Sequence, residues 1–291
     1  MDYVRVKAYA KINLTLDILG AEGGYHMLDS VVASVDIYDL VCVKKRKDNL
    51  VSVIMHGEGS ESIEHKDNNA ARAAELFVRE FSTRGVDVTV WKNIPMGAGL
   101  GGSSADVAGV LNAMAKLYGV GDGAKIKAIA DQIGSDCGYM LTGGYARLSG
   151  RGEKVKRIES GLKLNIGLLL PRTGVNTAEC YKLSDGLNCA NFKAGEAAER
   201  AVAAKNGKDL GKILSNGLYG AAVRLNPEVE ECFNALKQFD PWGVNMTGSG
   251  SGVYAIFENE HFLSYARSRY RGKHRFLTCR TVVPSKEERD G

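Results

Sequence analysis

A glycine-rich segment at residues 95–105 offers the clearest chemistry in the chain. It holds four glycines, and Ser103 and Ser104 follow them just before an apolar pattern of helical spacing. The first N–H groups of a helix have no partner within it, and the helix dipole makes this end positive, so such ends bind anions. Glycine lets the backbone close around phosphate oxygens and adopt positive φ angles. The pattern predicts a phosphate cradle formed by Pro95, Met96, Gly97, Ala98, Gly99, Leu100, Gly101, Gly102, Ser103, Ser104 and Ala105.

Other interpretations of the same glycines are weaker. Gly97, Gly99 and Gly102 match G-x-G-x-x-G, and Asp122 follows about twenty residues later, as in a dinucleotide-binding site. In such sites the acidic residue ends a second strand, whereas residues 116–122 directly follow a helical pattern and lack strand character. The G-K-[ST] ending of the Walker motif is absent. A glycine loop without a ligand is the remaining alternative, and the ordered arrangement disfavours it.

The elements that must position the cradle are predicted by periodicity. Alternating apolar residues at 86–90 predict a strand that Pro95 ends, and apolar residues at helical spacing predict a helix through Tyr118. Further helices are predicted at 68–82, at 126–133 and after Asn226-Pro227, and strands at 3–19, 31–55, 162–170, 252–257 and 276–283. Helices and strands without a strict βαβ order favour an α+β fold. We expect two domains, residues 1–158 and 159–291.

Composition excludes several classes of protein. A chain of 291 residues with 44% hydrophobic and 25% charged residues is typical of a globular enzyme with two lobes. A net charge of +4, from 38 basic and 34 acidic residues, is too small to predict nucleic-acid binding. No signal peptide or membrane span is recognisable, and the six cysteines include no C-x-x-C pair, which argues against zinc and for reduced thiols. We therefore expect a soluble, cytoplasmic protein without nucleic-acid or membrane partners.

Six short motifs, in this order and spacing, resemble those of the galactokinase, homoserine kinase, mevalonate kinase and phosphomevalonate kinase (GHMP) superfamily. They lie at residues 10–14 (AKINL), 24–26 (GYH), 95–105 (the cradle), 134–136 (GSD), 150–153 (GRGE) and 246–251 (MTGSGS). The resemblance implies a two-lobed GHMP-kinase fold, with an N-terminal ATP-binding lobe and a C-terminal ferredoxin-like α/β sandwich lobe. It also implies ATP and Mg²⁺ as cofactors.

The resemblance also implies roles for individual residues. Asp136 matches the proposed catalytic base, and Lys11 matches the lysine that keeps this carboxylate ionised and orients the substrate hydroxyl. The implied substrate-binding residues, which would hold a cytosine between aromatic rings and read its edge with the histidine His26, are Asn13, Tyr25, His26, Thr177 and Tyr181. Asn68 and Lys92 match positions that border the adenosine of ATP, and Ser104 matches a magnesium ligand.

The leading hypothesis is therefore a kinase that transfers the γ-phosphoryl group of ATP to a hydroxyl of a cytidine-diphosphate polyol, for isoprenoid precursor synthesis. One alternative is a GHMP-type kinase of another small alcohol, such as mevalonate or homoserine. Such an enzyme would have no use for Tyr25, His26 and Tyr181 together. The other alternative is a non-catalytic nucleotide-binding module, which the presence of both Lys11 and Asp136 disfavours. The expected oligomeric state is a monomer or a homodimer.

Overall fold

A computed structural model describes residues 2–57, 60, 68–187 and 192–285. The first sheet has eight strands: β1 (Tyr3–Asn13), β2 (Thr15–Glu22), β3 (Tyr25–Lys45), β4 (Val51–His56), β5 (Val86–Trp91), β6 (Tyr145–Gly150), β7 (Lys154–Arg157) and the two-residue β9 (Ser215–Asn216). The 21-residue β3 organises it, because β1, β2, β5 and β6 all pair with β3 in antiparallel fashion. The pairs β4–β5 and β2–β9 are parallel.

The second sheet is antiparallel, in the order β10 (Gly243–Met246), β11 (Val253–Phe257), β8 (Asn165–Leu170) and β12 (Arg275–Arg280). The helices are α1 (Asn69–Phe81), α2 (Gly102–Tyr118), α3 (Gly123–Ile133), α4 (Cys137–Met140), α5 (Thr177–Asp185), α6 (Gly195–Ala203), α7 (Gly207–Ile213), α8 (Tyr219–Leu225), α9 (Glu228–Lys237) and α10 (Glu260–Arg269). Helices α9 and α10 pack on this second sheet. The mixed α+β class and the α/β sandwich expected of the second lobe are confirmed, and the sandwich has a four-stranded sheet.

The two lobes share apolar surface because β8 has buried residues on both faces. Ile166 and Leu168 belong to the large core of the first sheet and helices α1 to α3. Leu169, on the opposite face, packs into a second core together with residues of α9 and α10. The second sheet is therefore covered by the first lobe together with α6 and α7 on one side, and by α9 and α10 on the other. This packing brings the start of α2 beside residues of the second lobe.

Local patterns predicted several elements closely. The helix expected at 68–82 spans Asn69–Phe81, and the Asn68 side chain accepts hydrogen bonds from Ala70 N and Ala71 N at its start. Asp122 is the N-cap of α3, where its carboxylate accepts from Lys125 N. This position agrees with the rejection of a dinucleotide fingerprint. Within the described residues, no helix combines the length and apolar character needed to cross a membrane.

Candidate active site

The cradle joins a turn to the first residues of α2. Gly97, Gly99 and Gly101 have φ angles of 68°, 71° and 72°, a region that residues with a Cβ rarely adopt. Gly101 is the N-cap of α2, and no side chain caps the first amides of the helix. Their N–H groups are therefore available to an anion. Residues 95–103 of the cradle, together with Met55, Asn68 and Lys92, line a cavity of about 180 Å³.

A second glycine loop, at residues 246–252, packs against the cradle and forms backbone hydrogen bonds with it. Ser251 N donates to Gly97 O at 3.2 Å, and Gly252 N donates to Ala98 O at 3.2 Å. A Cβ on Gly99 would lie 2.0 Å from the carbonyl oxygen of Thr247, so no side chain fits there. Residues 246–251 carry part of the family resemblance, but no binding role was predicted for them. Their role in shaping the cradle depends on contacts about 150 residues away in the chain.

Lys11 lies between the cradle and Asp136. Alternate residues of β1 face opposite sides, so Ala10 and Ile12 enter the core while Lys11 faces the other way. Its backbone N–H donates to Leu100 O at 3.0 Å, and its Nζ lies 3.4 Å from Asp136 Oδ2. The side chain is only 5% exposed, so this ammonium interacts with the carboxylate through little solvent.

Two neighbouring side chains leave no room for a Cβ at Gly101. This Cβ would lie 2.5 Å from Met140 Cε and 3.2 Å from Lys11 Cγ. A side chain here would therefore displace Met140 first and then Lys11. A glycine is therefore needed at position 101 for two reasons: it lets β1 pack closely against the cradle, and it tolerates the positive φ angle.

Asp136 begins the short helix α4, with its side chain one-third exposed and not engaged in capping. Tyr139 anchors this helix, since its fully buried hydroxyl donates to Gly144 O at 2.6 Å and lies 3.1 Å from Ser34 Oγ. Burial raises the pKa of the neighbouring Cys137 thiol to about 11, although a hydrogen bond with Ser104 opposes the rise. Cys137 is thus a neutral thiol at physiological pH.

A second cavity, which we call the polar cleft, is lined by Asp136 and measures about 510 Å³. Its lining includes Tyr25, His26, Ser104, Asp136, Arg151, Thr177, Tyr181, Lys182 and Asp185. The fold therefore brings five predicted residues from distant segments into one cavity with Asp136: Tyr25, His26, Ser104, Thr177 and Tyr181. Ser103 lines the cradle cavity instead, so the two adjacent serines face different cavities.

The aromatic residues of the polar cleft are arranged in two separate pairs. The rings of His26 and Tyr181 lie 4.8 Å apart at 35°. The Tyr25 ring, 57% exposed, is covered by the guanidinium of Arg151 at 4.6 Å. Tyr25 and Tyr181 thus have different partners in this structure, and their enclosure of a base between them stays a prediction. Sequence reasoning missed Arg151 although it lies in the GRGE motif, because nothing in that motif indicates an aromatic partner.

Asn13 makes contacts within the protein rather than towards the polar cleft. Its Oδ1 accepts from Lys11 Nζ at 2.6 Å and from Gly248 N at 2.9 Å, and its Nδ2 donates to Ser30 Oγ at 2.8 Å. Asn13 therefore positions Lys11 and links β1 to the second glycine loop. Thr177, also predicted to bind substrate, lines the cleft with its Oγ1 2.9 Å from Ser249 Oγ. Substrate contacts by both residues stay predictions.

Lys92 lies beneath the cradle with its ammonium held between two carboxylates. Its Nζ contacts Asp39 and lies 2.6 Å from Asp106 Oδ2. Burial alone lowers the pKa of Lys92, but Asp106 and Asp39 together outweigh burial and raise it, so the ammonium keeps its charge. Lys92 lines the cradle cavity, and the acidic side chains of Asp39 and Asp106 balance its positive charge. Sequence reasoning missed Asp39, which carries no local signal, and Asp106, an acidic residue on the buried face of α2.

Two family models match the chain, in agreement with this geometry. The description "GHMP kinases N terminal domain" covers residues 68–146, which contain the cradle and Asp136. The description "GHMP kinases C terminal" covers residues 198–270, which contain the second glycine loop.

Individual relatives narrow the assignment. The chain is 35% identical to a 4-diphosphocytidyl-2-C-methyl-D-erythritol kinase of Pelotomaculum thermopropionicum, over 95% of this chain and 97% of the relative. It is 36% identical to the protein of the same name from Desulfitobacterium hafniense, over 88% of each chain. A crystal structure of 4-(cytidine 5'-diphospho)-2C-methyl-D-erythritol kinase matches with a TM-score of 0.77 and 27% identity, covering 96% of this chain and 99% of the other. A homoserine kinase from Cytophaga hutchinsonii, 14% identical with a TM-score of 0.77, shows the shared fold alone. With its motifs and both lobes accounted for over nearly the whole chain, the protein belongs to the 4-diphosphocytidyl-2-C-methyl-D-erythritol kinase family of the GHMP kinases.

Proposed function

We propose that the protein transfers the γ-phosphoryl group of ATP to the 2-hydroxyl of 4-diphosphocytidyl-2-C-methyl-D-erythritol, a step of non-mevalonate isoprenoid precursor synthesis. One observation carries the proposal. The Lys11–Asp136 pair lies where the anion-binding start of α2 meets a polar cleft lined by Tyr25, His26 and Tyr181. A phosphoryl donor on one side and a hydroxyl acceptor on the other would meet at this carboxylate.

Each group then has a defined part in the reaction. Asp136 accepts the proton of the substrate hydroxyl as the hydroxyl oxygen forms its bond to the γ-phosphorus. The bond from the γ-phosphorus to the oxygen of the β-phosphate breaks, and ADP leaves. Lys11, whose Nζ lies 3.4 Å from Asp136 Oδ2, orients this carboxylate before the transfer and attracts the developing negative charge. The backbone amides of the cradle hold the phosphates of ATP, and Asn68 and Lys92 border its adenosine.

The residues of the site also fit a magnesium ion. Mg²⁺ prefers oxygen ligands and retains several waters, and the Ser104 hydroxyl lines the same cleft as the Asp136 carboxylate. Ser104 would hold the ion. When bound, the ion neutralises negative charge on the phosphates.

The domain assignment belongs to the same proposal. We place the ATP-binding domain at residues 1–158 and the second domain at 159–291. The matches of the two family models, at 68–146 and 198–270, fall on either side of this boundary and support it.

The test is a substrate panel. Purified protein is incubated with ATP, magnesium and either the cytidyl methylerythritol, mevalonate or homoserine, and ADP release is followed. We expect release with the cytidyl substrate, and a preference for mevalonate or homoserine would contradict the proposal.

Variants test the roles of the charged pair. Asp136→Ala and Lys11→Ala should each lose at least ~10²-fold in rate, while ATP binding survives in Asp136→Ala. Lys127→Ala is the matched control, because it removes a lysine from another ion pair, with Asp131, near the site. Full activity in either site variant would exclude the assigned roles.

A further inference from the structure

His26 and Asp185 form a hydrogen-bonded pair that the roles assigned above do not use. His26 Nε2 lies 2.6 Å from Asp185 Oδ1, although the two residues are 159 positions apart. His26 belongs to β3 in the first lobe, and Asp185 is the last residue of α5 in the second. Both line the polar cleft.

The position of Asp185 is not explained by the stability of α5. A carboxylate at the C-terminal end of a helix interacts unfavourably with the helix dipole. Its side chain is 58% exposed, and an exposed ion pair contributes little to stability. The contact with His26 therefore has greater consequences for the imidazole, which is 21% exposed, than for the fold.

Three contacts together fix the orientation of the His26 ring. Its backbone is paired with Ala21 in the β2–β3 hairpin. One face of the ring packs on Tyr181, with centroids 4.8 Å apart. The carboxylate of Asp185 holds the Nε2 edge. Rotation of the ring by half a turn would break the last of these contacts.

The carboxylate also decides which nitrogen carries the proton. An ionised carboxylate can only accept hydrogen bonds, so Nε2 of His26 must be the donor. In the neutral imidazole Nδ1 then has no proton and is an acceptor. Within the described ranges, no hydrogen bond to Nδ1 is observed.

We propose that Asp185 is a specificity-determining positioning residue, which presents Nδ1 of His26 as an acceptor to the amino group at the 4-position of cytosine. This inference rests on the proposed function. Uracil carries a carbonyl oxygen at that position, so two acceptors would face each other and neither would be satisfied. Asp185 thus gives the site its preference for a cytidyl over a uridyl substrate without touching the base.

The test compares kcat/KM for the cytidyl substrate and its uridyl analogue. Asp185→Ala should reduce the preference for the cytidyl substrate about tenfold, the usual effect of one correctly paired hydrogen bond. Asp185→Asn should retain most of the preference, since its amide oxygen can still accept from Nε2. Glu179→Ala is the matched control: it removes an exposed acidic residue from the same helix, and its preference should equal that of the wild type.

These comparisons separate base recognition from a contact that only joins the lobes. A joining contact would change kcat/KM for both substrates by the same factor and leave their ratio unaltered. An unaltered ratio in Asp185→Ala overturns the inference. Equal losses of preference in Asp185→Ala and Asp185→Asn also overturn it, because charge rather than hydrogen bonding would then be responsible.

A second measurement is independent of catalysis. Nitrogen-15 NMR of the wild type, assigned by comparison with His26→Ala, should show the His26 proton on Nε2 and a bare Nδ1. A proton on Nδ1 of the neutral ring overturns the inference. A wild-type enzyme inactive on the cytidyl substrate overturns the proposed function and this inference with it. If the wild type is active on the cytidyl substrate but the neutral His26 carries its proton on Nδ1, only this inference is overturned.

Discussion

The two carboxylates that share the Lys92 ammonium should respond differently to mutation. Asp39 accepts hydrogen bonds from Lys92 and from the backbone N–H groups of Asn93 and Ile94. Asp106 accepts from Lys92 alone, and its Oδ1 has no partner among the described residues. Burial raises the pKa of Asp106 to about 8, while Lys92 opposes this rise and the Asp39 carboxylate adds to it. Burial and the Asp39 carboxylate therefore favour the protonated form of Asp106 at neutral pH.

The magnitudes follow from these contacts. Asp39→Ala should lower the free energy of unfolding by about 3–5 kcal/mol, the range for breaking a buried ion pair. The two orphaned backbone N–H groups would by themselves account for about 1–3 kcal/mol each. Asp106→Asn should change the free energy of unfolding by less than about 1 kcal/mol below about pH 4, where Asp106 is protonated in the folded and the unfolded chain alike, because the amide oxygen can still accept from Lys92.

The pH dependence supplies a second signature. The folded-state pKa of Asp106 lies above its ordinary value of ~3.9, so its contribution to stability is complete below about pH 4 and is lost as the pH rises towards 8. Asn does not titrate. Asp106→Asn should therefore gain stability relative to the wild type between about pH 5 and pH 8, with no further gain above that.

Urea unfolding of the wild type and both variants across this pH range measures these effects. Asp209→Ala, which removes an exposed carboxylate paired with Lys212, is the control and should be nearly neutral. Equal losses in Asp39→Ala and Asp106→Asn would refute the assignment of charge. So would a stability difference between the wild type and Asp106→Asn that does not vary with pH.

Three further predictions concern the cradle and the cleft. Gly99→Ala should weaken ATP binding at least about tenfold by calorimetry, because its Cβ would collide with Thr247 O, whereas Gly121→Ala has open space and should bind normally. Wild-type affinity in Gly99→Ala would contradict the close packing of the two glycine loops. Tyr181→Ala should raise KM for the cytidyl substrate roughly ten- to a hundredfold with little change for ATP, and an unaltered KM would exclude base stacking on this ring. Ser104→Ala should raise the magnesium concentration needed for half-maximal rate, and a wild-type titration curve would remove its role as a ligand.

Local sequence was enough to predict the parts of the fold that depend on short-range periodicity. The strands expected at 162–170, 252–257 and 276–283 lie at Asn165–Leu170, Val253–Phe257 and Arg275–Arg280. The glycines and helical spacing around residues 95–118 likewise predicted the cradle and α2. These signals are local because turn glycines, caps and apolar spacing act within a few residues of each other.

The partners of the polar side chains were decided only by the tertiary structure. Nothing near Asp39 indicates that Lys92 lies against it, and nothing near Arg151 indicates that it covers Tyr25. The pairing of His26 with Asp185 joins segments 159 residues apart. A charged residue has the same local pattern whether it faces solvent or a buried partner, because its partner is chosen by the packing of distant elements. The sequence therefore determined which groups could do chemistry, and the packing of distant elements, within and between the lobes, determined which of them meet.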